Sequence, residues 1–511
     1  MNKIIIKHSC IIINNYEWDD SLALQHSFSI YDKLYHTLFY KAIEYKEEEK
    51  QLILPRGIDI DFLEKIFNCK ATIDYSHDPY DVISDINLKY MPRDNTQKRA
   101  LAFIAGVKEY SYTASKSQLS INLPTGKGKT YCSITGSAYY GLRSIIITSS
   151  IQWLEQWRDC IVEYTDTKFN EIYMLVGSAS INRLIKRGNI SDYKFILASH
   201  DTLKSYGDRN GWDKITELFK YMKVGLKFYD EAHLNFDNMA KIDFYTNTYK
   251  TFYITATPAR SDKDENFIYR LYFKNIPSID LFCADTDPHT HYVGIKFNSH
   301  PKPTDLSACK NAYGFDKNKY CDYITKNNNF YIMLSYVLNI ALSKEGKCVI
   351  YIATNDAIKR VKQWIEINYP LLINNIGVYT SIIDQEEKAK ALDKKIILST
   401  TKSLGAAVDI KGLKMVVVAA EPFKSEVLAK QSLGRTRDND TYYIEFVDVA
   451  FTAIKKYYKT KQPIFLKYAL SCKEIDFSID RTFDILTGKV YEEKPVEQAI
   501  LFKAIQFNKV V

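Results

Sequence analysis

At 511 residues the chain is about three times the length of a typical domain of roughly 150 residues, so it needs several cores and cannot be a single small binding module. With 46% hydrophobic and 25% charged residues, its composition is that of a soluble globular protein, not of a disordered tail or a disulfide miniprotein. Lys+Arg 69 against Asp+Glu 61 leaves a formal charge of +8, which permits a polyanionic partner without requiring one.

In chain order, residues 1–88 read as a small α/β accessory domain, with strands at 4–13 and 51–54, a turn at Pro55-Arg56-Gly57 and an amphipathic helix at 60–67. From 89 to 284, β-rich runs at 119–123, 144–148, 195–198, 226–229 and 252–255 alternate with helical stretches. Near-continuous apolar strands separated by helices predict a parallel sheet covered on both faces. Residues 285–325, richer in Pro, Asn, Lys and His, read as a linker or insertion. The alternation then restarts over 326–480, with a helix at 330–342 and strands at 348–352, 377–379, 396–399, 415–419 and 442–447, before a tail at 481–511. The expected fold class is therefore α/β, with two tandem parallel-sheet domains behind a small N-terminal α/β domain. The nine cysteines form no C-x-x-C pair, so neither zinc nor disulfides are expected, and a cytoplasmic, reducing compartment is. No run approaches the roughly 18 apolar residues of a membrane span, and no membrane partner is expected.

The strongest local signal is Thr125-Gly126-Lys127-Gly128-Lys129-Thr130, directly after the first strand of its domain and before a helix. Backbone N–H groups of a glycine-bearing loop at a helix N-terminus cradle anions. Lys129 suits the β- and γ-phosphates of ATP, and the Thr130 hydroxyl suits Mg²⁺. The second signal is Asp230-Glu231-Ala232-His233 after the 226–229 run. It sets two carboxylates at a strand's C-terminal end, the ligand edge of an open parallel sheet. Asp230 suits the metal, and Glu231 suits general-base activation of water. Trp153 and Trp157, one helical turn apart, are expected to pack into a core.

Together these strings resemble the superfamily 2 helicases and translocases of the DEAH-box type, whose two domains are RecA-like. Thr255-Ala256-Thr257-Pro258 is similar to the family's third motif, so His233, Thr255 and Thr257 are expected to couple hydrolysis to movement. Gln97 stands at the adenine-reading position. By the same resemblance, Ser149, Gly177, Ser199 and His200 in the first domain, and Thr354 and Thr400 in the second, fall at nucleic-acid-contacting positions, where hydroxyls and backbone N–H groups suit phosphate. Asp409 joins the ATP set. Gln431-Ser432-Leu433-Gly434-Arg435-Thr436-Arg437 resembles Q-x-x-G-R-x-x-R, which implies that Gln431 couples the domains and that Arg435 and Arg437 reach the γ-phosphate. Two positions depart from the pattern: Asp438 stands where the second arginine belongs, with Arg437 one residue early, and Ala407 stands where glycine is common. Within the superfamily the chain is most similar to phage recombination helicases of the UvsW type. That resemblance implies ATP-driven unwinding or branch migration of DNA in replication, recombination or repair, in a phage-infected bacterial host. An RNA helicase or polymerase-associated translocase, and a nucleic-acid-binding subunit of weak catalysis, stay open as alternatives.

Overall fold

The computed structural model describes residues 3–32, 36–83, 85–123, 126–255, 263–281, 290–312, 314–404, 410–425, 429 and 441–477. The chain forms two compact units, Met1–Thr286 and Asp287–Val511.

The main sheet of the first unit has seven strands. In spatial order they are Ile172–Leu175, Phe195–Ser199, Ser144–Thr148, Leu226–Asp230, Lys250–Thr255, Gln118–Asn122 and Ser278–Asp280, and every neighbouring pair is parallel. Ser144–Thr148 is buried at all its positions, because helices cover both faces and no side of the strand meets water. The outermost strands, Ile172–Leu175 and Ser278–Asp280, were not expected. Both are short, and their burial is broken by exposed or half-buried positions.

The expected single strand at 4–13 is instead a hairpin. Lys3–Ile6 pairs antiparallel with Cys10–Asn14, and the polar trio Lys7-His8-Ser9 turns between them, with Lys7 N–H donating to Cys10 O at 2.9 Å. The N-terminal sheet runs Glu44–Lys46, Gln51–Pro55, Cys10–Asn14, Lys3–Ile6, Thr72–Ile73. Its core is continuous with that of the main sheet: Ile4, Ile11, Ile13, Leu52 and Leu54 belong to the same buried cluster as Ile147, Tyr229, Tyr253 and Tyr272. The contact is close enough that a Cβ on Gly57 would collide with the Tyr272 carbonyl. Under this seam lies a buried ion pair, Lys227 Nζ to Asp243 Oδ1 at 2.5 Å. Asp243 also accepts from Tyr229 (2.9 Å), Tyr253 (2.6 Å) and Tyr272. A carboxylate taken out of water needs its oxygens filled in this way.

The second unit repeats the architecture. Its parallel sheet runs Ile376–Tyr379, Ile396–Ser399, Lys347–Ile352, Leu413–Ala420, Thr441–Asp448, Thr290–Phe297, Ser471–Phe477. The segment 285–325, expected as a linker, thus supplies an eight-residue strand, Thr290–Phe297, paired along its whole length with Thr441–Asp448. Polar flanks masked a β-branched and aromatic run that crosses the sheet. Among the described residues no helix is long and apolar enough to cross a membrane.

Candidate nucleotide site

Three adjacent strands, Leu226–Asp230, Lys250–Thr255 and Gln118–Asn122, deliver the candidate residues to one sheet edge. Asp230 lies level with Ile254, and Thr255 with Asn122. Beyond Asn122 the chain turns through Gly126 (φ 82°) and Gly128 (φ 87°), left-handed conformations that glycine adopts without the Cβ penalty. Helix Lys129–Tyr140 starts there with no side-chain cap, so its first N–H groups remain for an anion. The loop is braced from helix Asn95–Ala105. Gln97 Nε2 donates to Lys127 O (3.2 Å), Gln97 Oε1 accepts from Arg93 N–H (2.7 Å), and Arg93 Nη2 donates to Gly126 O (3.2 Å). Thr130 is half-buried in the helix's first turn.

Lys129 Nζ makes an ion pair with Glu231 Oε1, both side chains being largely buried. Glu231 sits at φ 51°, in the left-handed region that a non-glycine residue occupies only when its surroundings hold it there. Its second oxygen, Oε2, is buried and has no hydrogen-bond partner among the described residues, although His233 Nδ1 is 3.4 Å away. His233 Nδ1 is also hydrogen-bonded to Thr255 Oγ1 at 2.7 Å. Lys129, Glu231, His233 and Thr255 therefore form one polar chain from the helix start, through the turn after Asp230, to the end of the neighbouring strand. Asp230 Oδ2 accepts from Trp157 Nε1 at 3.0 Å. Burial pushes the Asp230 carboxyl above the usual range, while the Lys129 charge and the indole hydrogen bond pull it back. An uncapped helix start, a lysine, two acids and an orphaned carboxylate oxygen are the donor set that a nucleotide phosphate with a divalent ion needs. The residues present fit that group.

The other expected positions fare unevenly. Ser149 O accepts from Asn235 Nδ2 at 3.3 Å, tying the segment after Ser144–Thr148 to the one after Asp230. Gly177 (φ 68°) opens helix Gly177–Arg187 and is exposed. Ser199 and His200 correct the expectation of side-chain contacts to nucleic acid, because both are fully buried. The Ser199 hydroxyl caps helix His200–Asn210 by accepting from Thr202 N–H at 3.1 Å. The His200 ring stacks on Tyr229 at 5.5 Å. In the second unit, Thr354 caps helix Asn355–Asn368, and Thr400 Oγ1 accepts from Ser403 N–H at 3.0 Å. Thr125, Thr257, Asp409, Gln431, Arg435 and Arg437 lie outside the described residues. Sequence reasoning missed the bracing role of Arg93 and the polar role of Trp157. An arginine before a helix and a tryptophan at core spacing give no signal of either.

Residues 89–260 match the family model of the type III restriction enzyme res subunit. The chain is 27% identical over 148 residues to the putative DNA 3'-5' helicase Rad25 of Haloarcula marismortui, covering 29% of this chain and 21% of that protein, so the match spans about a fifth of the relative. Among solved structures, S. cerevisiae Dbp5 bound to RNA and ADP BeF3 aligns at TM-score 0.51 and 14% identity over 81% of this chain and 92% of that one. T4 UvsW aligns at TM-score 0.38 and 16% identity over 93% and 99%. The family match thus falls on the segment of the first unit that carries the phosphate loop and Asp230-Glu231, and the Dbp5 likeness is one of fold, with tandem parallel sheets.

Proposed function

We propose that the protein is an ATP-dependent DNA helicase or translocase that unwinds or branch-migrates DNA. The observation that carries this reading is the convergence of Lys129, Glu231, His233 and Thr255 at one edge of a parallel sheet, beside an uncapped phosphate-loop helix. Lys129 exchanges Glu231 for a β- or γ-phosphate oxygen when nucleotide enters, which frees the carboxylate to orient water and accept its proton. Thr130 and Asp230 are the residues that would hold Mg²⁺, which supplies neutralisation of phosphate charge when bound. The His233 ring links Glu231 to Thr255, so a change at the catalytic carboxylate reaches the strand end that leads into the third motif. Arg435, with or without Arg437, is assigned to transition-state charge by its place in the sixth-motif string. The name of the Rad25 relative supports DNA over RNA as the polymer.

The test is strand separation and branch migration on forked and four-way DNA and on an RNA duplex, with Glu231→Gln as the control. The expected outcome is ATP-dependent remodelling of DNA that Glu231→Gln cannot perform. Remodelling of RNA alone would overturn the DNA assignment and leave the motor.

A further inference from the structure

We infer that Trp157 is a positioning residue for the divalent-ion site, its indole N–H holding one oxygen of the Asp230 carboxylate and leaving the other for the ion; this rests on the nucleotide-site reading above. Indole is a donor only, so it can satisfy a carboxylate oxygen without competing for the metal. The ring is fixed in place, being 4% exposed. It lies on helix Gln152–Tyr164, where the flanking Leu154 and Ile161 are fully buried. Trp157 Nε1 is 3.0 Å from Asp230 Oδ2, and no other hydrogen bond to that carboxylate is seen among the described residues. As pure core filling, a tryptophan would not need an acidic neighbour, since phenylalanine fills similar space without an N–H to satisfy. The same helix follows the segment at Ser149 that Asn235 grips. The metal-side acid is thus tied to this helix, and Asn235 to the segment that leads into it. Partners of metal ligands that fix carboxylate orientation are commonly worth about 10–100-fold in metal affinity.

The experiment measures binding of a fluorescent ATP analogue by anisotropy, with Mg²⁺ titrated and separately in EDTA, for wild type, Trp157→Phe, Asp230→Asn and the double variant. Trp157→Phe is expected to raise the Mg²⁺ concentration for half-saturation about 10–100-fold and to leave metal-free nucleotide affinity unchanged, which also shows that the variant is folded. In the Asp230→Asn background the same substitution is expected to add nothing, since the two act through one contact. An unchanged Mg²⁺ requirement in Trp157→Phe, or equal loss with and without Mg²⁺, would overturn the inference and leave a packing role. Failure of the underlying reading looks different. In that case wild type itself would bind nucleotide without regard to Mg²⁺, and the inference would fall with it.

Discussion

His200 shows how a residue chosen by motif position can have a different physical task. It is fully buried, and neither ring nitrogen has a hydrogen-bond partner among the described residues. Burial alone depresses its pKa to about 3 from 6.5. Below pH 6.5 the unfolded chain therefore binds a proton that the folded chain refuses. Stability rises with pH through the window from about 3 to 6.5, by at most about 1.4 kcal/mol per pH unit for one group. Denaturant unfolding of wild type and His200→Phe between pH 4 and 7 should show the wild type losing stability faster as pH falls; parallel curves would refute this. Lys129, Asp230 and Glu231 were legible because their chemistry is written in contiguous strings. Arg93 and Trp157 were not, because they reach the site only through tertiary packing. The unusual φ of Glu231 is equally silent in sequence, where glutamate carries no mark of a left-handed conformation.

At the level of elements, every strand expected within 89–284 and 326–480 formed, because apolar β-branched runs between helical stretches admit little else. Three of the misses follow one pattern. Ile172–Leu175, Ser278–Asp280 and Ser471–Phe477 are sheet-edge strands, half-exposed and so weakly patterned. Thr290–Phe297 is internal to its sheet, but it stands far ahead of its partners in sequence and its neighbours read as loop. Two of the expected contact positions, Ser199 and Thr354, are N-caps: Ser and Thr before a helix suit phosphate contacts and N-caps alike. Because Ser199 caps helix His200–Asn210, Ser199→Ala is expected to cost about 1 kcal/mol of stability while leaving single-stranded DNA affinity unchanged at fixed salt. A lost affinity without lost stability, measured by anisotropy and chemical unfolding, would restore the contact role.

For the whole molecule, the accessory domain expected at 1–88 falls inside one compact unit, Met1–Thr286, a dependence that the change of pattern near residue 88 does not reveal. The hairpin at Lys3–Ile6 and Cys10–Asn14 shares a buried core with the main sheet. Gln118 Nε2 donates to Ser9 O at 2.9 Å, and Ser117 Oγ to His8 O at 2.9 Å. A fragment of residues 89–286 should therefore expose core side chains such as Tyr253 and Tyr272, and melt below, or less cooperatively than, a fragment of 1–286. Equal melting by calorimetry would make the N-terminal module a dispensable appendage.

The central claim is that the edge holding Lys129 and Glu231 hydrolyses ATP for work on nucleic acid. The most direct measurement is steady-state ATP turnover by wild type, Lys129→Ala and Glu231→Gln, alone and with single-stranded DNA, four-way DNA or RNA at one low salt concentration, since backbone binding depends strongly on salt. Wild-type turnover should rise with DNA, and each variant should fall by about a hundredfold or more, the scale of a lost general base or phosphate contact. Turnover that is absent with every polymer, or the same in all three proteins, would contradict the account.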